Sequence, residues 1–257
     1  MAAYASAVAA RNGNWYERHS AQTGPVKGPR HGASGVHAMK RQQVLERVES
    51  VPQLPTAVGR VLRMIQDPEI GIGAVMDAIE VDPGLTTNVL RLANSAYFAG
   101  PRTISSLREA GVRLGMNRVF QLVLATSISP IARKPLRGYD LPAGKLLESL
   151  VAVAIATEEL GRTAGLELPK HAFTAGLLHD IGKIVLGTFL EVDAIPIQQR
   201  AFDEGISFER AEADVLGIDH AETGAALLEH WQLPEPIVNA VRYSHQPTAI
   251  EDDATVV

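Results

Sequence analysis

Between residue 40 and about residue 245, apolar side chains recur at intervals of three and four, and the alternation of a half-buried strand is scarce. That period fits one face of an α-helix and no face of a sheet, so the chain is restricted to packed helices. Val44, Val48, Val51 and Leu54 trace a first apolar edge, and Pro52 and Pro55 force a turn. Val58, Val61, Leu62 and Ile65 trace a second helix, stopped at Asp67-Pro68. Ile72, Val75, Met76 and Ile79 trace a third, closed at Asp82-Pro83, and Leu85, Val89, Leu90 and Leu92 a fourth. Residues 105–114 and 118–128 add two more, so residues 40–130 read as a lobe of short helices.

Residues 131–142 carry charge, two prolines and a glycine and read as a link. A long helix is predicted over 143–162, with Leu146, Leu150, Val153, Ala154 and Leu160 on its faces. A buried helix follows, ending at His179-Asp180. Gly182 then breaks the pattern before a second apolar run at 184–190. Further helices are predicted over 191–204, 208–215, 219–231 and 237–245. The expected architecture is all-α, about 12 to 14 helices in two lobes.

The ends of the chain differ from this body. Residues 1–38 are rich in Ala, Gly and Ser, contain Pro25 and Pro29, show no sustained period and read as disordered. Met39 opens the first patterned stretch, so the native start is either Met1 or Met39. Trp15 and Tyr16 could form a short docking motif, and residues 251–257 read as a frayed tail. Residues 1–47 hold seven Lys/Arg against Glu17 and Glu46, a balance of +5; the formal total of −5 leaves −10 for residues 48–257. An acidic body argues against nucleic-acid binding, which needs a basic surface. There are no cysteines, which excludes disulfides and thiolate metal sites. No apolar run is long enough to span a membrane, and the N-terminus lacks the apolar core of a signal peptide. The expected address is the cytoplasm.

His179, Asp180 and Lys183 interrupt an otherwise apolar or small stretch, His171 to Leu190. Neighbours in mid-helix point about 100° apart and share a ligand poorly. At a helix end, an imidazole and a carboxylate can converge on one cation. A charged Asp in so apolar a segment is costly unless paired. The competing reading is a helix-capping Asp beside a satisfied core histidine. Lys183, one turn beyond His179, could meet a phosphate, pair with a carboxylate or reach solvent. Asn94 and Ser95 can bond turn backbone, and Tyr97 and Phe98 can anchor one lobe on the other or present a recognition surface.

A series of short motifs occurs in order along the chain. Leu54-Pro55, Asp82-Pro83, the run from Leu92 to Phe98, the run from Ile104 to Leu107, and Leu114-Gly115 precede Leu177-Leu178-His179-Asp180-Ile181-Gly182-Lys183. The stretch from Gly217 to Ala225, then Trp231-Gln232-Leu233-Pro234 and His245-Gln246-Pro247, complete it. Over residues 39–250 this resembles the HDOD domain, the HD-related output domain of bacterial signalling. The resemblance implies an N-terminal helical lobe, 39–140, and a lobe over 141–250 similar to HD and HD-GYP metal phosphohydrolases. In those relatives histidines and aspartates hold one or two metals that activate water against a phosphate ester. Here Glu148 stands where the first ligand histidine would be. His179, Asp180, His220 and His245 remain, Ser244-His245 replaces a histidine pair, and no Gly-Tyr-Pro follows. The implied ligand set is Glu148, His179, Asp180, His220 and His245 for a divalent metal (Mn, Fe, Mg or Zn), with Lys183 beside a phosphate. The implied role is a regulatory module with a degenerate metal site. It would bind a protein or nucleotide partner, in a cyclic-di-GMP or two-component network. The alternative is a metal-dependent phosphohydrolase.

Overall fold

The computed structural model describes residues 41–67, 69–98, 102–189 and 194–246. The expectations for residues 1–38, for Met39 and for residues 251–257 lie outside these. The described residues belong to one compact unit. The described residues contain helices and no strand, apart from a single bridge between Leu136 and Leu141. None of these helices is long and apolar enough to cross a membrane.

Helix α1 (Arg41–Val48) turns Val44 and Val48 inward. Pro55 precedes α2 (Thr56–Gln66), and α3 (Ile72–Glu80) buries Val75, Met76, Ala78 and Ile79. In α4 (Pro83–Ala93), Asp82 caps the helix by accepting from the Gly84 and Leu85 amides, and Pro83 takes the first turn, where no N–H is needed. The run α5 (Leu107–Ala132) breaks at Gly115, whose φ of 80° and ψ of 167° leave the helical region. It is therefore two helices joined at a kink, as the 105–114 and 118–128 patterns predict. The Asn94 side chain ties the intervening loop: its Oδ1 accepts from the Ile104 amide at 2.8 Å, and its Nδ2 donates to the Leu90 and Ile104 carbonyls, each at 2.9 Å.

The link carries a 3-10 turn, Arg137–Tyr139, before α6 (Lys145–Ala164). Helix α7 (Ala172–Leu178) is buried along its whole length and packs on α6. Gly176 allows this closeness: a Cβ there would stand 3.0 Å from the Ala154 Cα. The predicted break at Gly182 is a short turn α8 (Gly182–Ile184), running into a π-helical turn, Val185–Phe189. Helices α9 (Ala194–Glu204), α10 (Phe208–Leu216), α11 (His220–His230) and α12 (Glu235–Arg242) complete the fold. Asp219 caps α11 by accepting from the Glu222 amide at 2.7 Å, and α1 packs on α11, with Arg41 paired to Glu222.

A polar cluster sits where the loop after α4 meets α5, α6 and α7. Tyr97 and Phe98 pack against Phe173, with centroids 6.3 and 6.2 Å away. The Arg118 guanidinium lies 5.8 to 6.0 Å from all three rings and donates to both Glu158 oxygens at 2.7 Å. The Tyr97 hydroxyl donates to Glu158 Oε2 at 2.6 Å. Tyr97 and Phe98 thus serve as packing anchors.

Candidate metal centre

Three elements supply the centre. Asp180 follows the buried helix α7, His220 is the first residue of α11, and His245 lies just past α12. Gly182 sets the spacing of the first two. A Cβ there would meet the His220 carbonyl oxygen at 2.0 Å and the Gly224 nitrogen at 2.5 Å, so main chain lies directly on main chain. Only a residue without a side chain permits this approach.

One ligand-type atom from each of Asp180, His220 and His245 lies within 4.8 Å of the others. His220 Nε2 is 2.8 Å from His245 Nε2 and 3.2 Å from Asp180 Oδ1. Donors about 2.1 Å from one ion stand about 3 to 3.4 Å from each other, so these separations fit a single shared cation. Two imidazoles and a carboxylate suit Zn, Fe or Mn. The Asp180 and His220 side chains are nearly covered, whereas His245 is exposed and forms the open edge.

Asp180 is not a helix cap. Its Oδ2 accepts from Lys183 Nζ at 2.7 Å and faces His179 Nε2 at 3.5 Å. Burial on its own would raise the carboxyl, but the hydrogen bond from His220 and the charges of Lys183, His179 and His220 pull it well below the usual carboxylate range. It is therefore an anion, as a metal ligand must be. For His220, burial works against the charged ring, but bonds to Asp180 and Glu212 outweigh it and push the imidazole up to about 9. Burial and the neighbouring His220 hold His245 below its ordinary value. Without an ion, a proton on His220 Nε2 faces Asp180 and His245, in the position that a cation would take.

The structure gathers only part of the expected ligand set. His179 turns Nδ1 to the Gly176 carbonyl at 2.8 Å and meets only Asp180, on the oxygen away from His220. Glu148 is not brought into the group: it lies exposed on the first turn of α6, paired with Lys145 at 2.5 Å. Lys183 takes the carboxylate-pairing option. One residue was not singled out in the sequence. Glu212, on α10, is fully buried, and its Oε2 accepts from both the His220 amide and Nδ1 at 2.6 Å. Its Oε1 accepts from the Tyr139 hydroxyl. The signal was its place between Phe208, Ala211, Val215 and Leu216, on the apolar side of the helix.

Asp180, His220 and His245 would hold the ion, which when bound would supply a Lewis acid that polarises a phosphoryl or carbonyl oxygen. Lys183 neutralises Asp180, and the exposed side at His245 is where a second molecule could approach.

The fold recurs in known proteins. The profile of the HDOD domain matches residues 51–247. The chain is 26% identical over 211 residues to an uncharacterized protein of Treponema pallidum (strain Nichols), covering 81% of this chain and 40% of that protein. It thus spans about 40% of the length of that curated relative. The crystal structure of an HDOD domain protein with unknown function from Geobacter sulfurreducens matches with a TM-score of 0.67 at 27% identity, over 83% of this chain and 74% of that one. That of a "Putative phosphohydrolase" from Shewanella amazonensis SB2B matches with a TM-score of 0.65 at 32% identity, over 84% and 76%. The matched span takes in the helices that frame the centre and all three residues that form it, so the chain belongs to the HDOD domain family.

Proposed function

We propose that this chain is a cytoplasmic bacterial signalling module whose HD-type site has been reduced to a single-cation centre, and that it acts by binding a protein or nucleotide partner. Residues 39–140 and 141–250 would form its two lobes, the second carrying the centre. The observation that carries this reading is the ligand count. Among the described residues, one group of three converges, Asp180, His220 and His245, while Glu148 pairs with Lys145 and His179 with Gly176. Three protein ligands suit one ion, whereas a two-metal clamp on a phosphate ester needs more donors around a second position. Partners in a cyclic-di-GMP or two-component network follow from the family's role in bacterial signalling.

A metal-dependent phosphohydrolase is the second reading, favoured by the open edge at His245 and by the description of the Shewanella amazonensis protein. One experiment separates the two. Protein purified without chelator is analysed for metal and assayed against phosphodiesters and nucleotides with Mn, Fe, Mg and Zn. The expected result is at most one equivalent of metal and no turnover above that of Asp180→Asn. Turnover that disappears in both Asp180→Asn and His220→Ala would establish the hydrolase instead.

A further inference from the structure

The centre contains a carboxylate that is not one of its ligands. Glu212 has no exposed surface, and both of its oxygens are occupied from inside the protein. A buried charge is costly unless its lone pairs are filled, and here three donors fill them. Two belong to one residue: the main-chain N–H and the Nδ1–H of His220, each 2.6 Å from Oε2. Nδ1 is thus the nitrogen that donates to Glu212, and Nε2 is the one turned towards Asp180 and His245. Holding backbone and ring together fixes the ring's rotation about its own side-chain bonds.

The third donor is itself held in place. The Tyr139 ring lies against Gly187, where a Cβ would stand 2.8 Å from Cδ2, and its centroid is 6.3 Å from that of Phe208. Tyr139 ends the 3-10 turn of the link. The hydroxyl therefore has little freedom to leave Glu212.

We infer that Glu212 is a positioning residue for the metal ligand His220, and that Tyr139 sets Glu212, so that the link and α10 tune cation affinity from behind the centre. The inference rests on the one-cation reading. Partners of ligand histidines typically change metal affinity about 10- to 100-fold when removed.

The test uses the full chain, zinc as the probe, and two variants, Glu212→Gln and Tyr139→Phe. Zinc affinity is measured by calorimetry. In chelated, 15N-histidine-labelled protein, the Nδ1–H proton of His220 is followed by NMR, assigned by its absence in His220→Asn. Expected are a zinc affinity about 10- to 100-fold weaker in Glu212→Gln and a smaller loss in Tyr139→Phe. The downfield Nδ1–H signal should move upfield and exchange faster in both. Unchanged affinity together with an unchanged signal overturns the inference, even if the melting temperature falls, because that would be a purely structural role. If the wild type binds no zinc, the one-cation reading fails. The ring-proton signal then decides the positioning claim alone: a signal unmoved in the variants overturns it, and a moved one supports it. Should Glu212→Gln not fold, Tyr139→Phe carries the same two outcomes.

Discussion

Two cationic clusters in this molecule are built from similar parts and differ in what can be exchanged. In one, the Arg118 guanidinium is held by both oxygens of Glu158, by Gln121 Oε1 at 2.9 Å and by three aromatic rings. In the other, the His220 imidazole is held between Glu212 and Asp180, with His245 beside it. A guanidinium does not give up its proton in a protein, and here one nitrogen, Nη1, reaches both Glu158 oxygens. An imidazole releases its proton and then offers a lone pair. The first cluster is a closed tie between α5, α6 and the loop before α5; the second can trade a proton for a metal ion. Burial and opposite charge alone do not mark a functional site, whereas an exchangeable cation with an open side does.

The comparison can be broken most severely at Gly182. Gly182→Ala drives a Cβ into the His220 carbonyl, and main chain cannot swing aside as a side-chain end can. The expected loss is about 3 kcal/mol or more of stability, together with cation binding, read by thermal melting and zinc titration. Near-wild-type melting would show that α8 and α11 are further apart than described. Next comes Asp180→Asn, which removes a ligand rather than a ligand's partner. Zinc affinity should fall by more than about 100-fold while the helical circular-dichroism spectrum is kept. Retained affinity would remove Asp180 from the centre.

Arg118→Ala should do the opposite, costing about 2 kcal/mol in charge-assisted bonds and ring contacts while leaving zinc affinity unchanged. A change in affinity would show the two clusters to be coupled. The smallest effect is at Tyr97. Burial and then the bond to Glu158 push its phenol up to about 12 from an ordinary 10.0. A phenol that keeps its proton longer in the fold than in the unfolded chain stabilises the fold below pH 10 and loses that contribution as the pH rises through 12. Tyr97→Phe should be about 1 kcal/mol less stable at pH 8 and lose stability less steeply from pH 10 to 12. Parallel slopes would place the hydroxyl outside the cluster.

The helices were legible because burial imposes a period, and proline and glycine mark where it stops. Gly115 divides two helices where the apolar pattern breaks, and Asp82-Pro83 starts α4 as capping chemistry requires. At the centre, His179-Asp180 drew notice because a charge in an apolar run needs a partner. His220 and His245 came only from motif order, since nothing local shows that residues 25 apart in sequence will touch. Glu212 escaped because Phe-Glu-Arg-Ala-Glu-Ala-Asp has the composition of a solvated helix surface, which masks the helical spacing of Glu212 with Phe208, Val215 and Leu216. Glu148 illustrates the converse: position in a motif suggested a ligand, and a lysine three residues away satisfies it locally.

The contact of Gly182 with His220 and Gly224 has a consequence for how such a domain can vary. The distance between α8 and α11 is set by backbone atoms, with no side chain acting as a spacer. Residues projecting from either strut can therefore be swapped one at a time without the frame changing its dimensions. Chemistry at this position is replaceable hardware on a fixed mount.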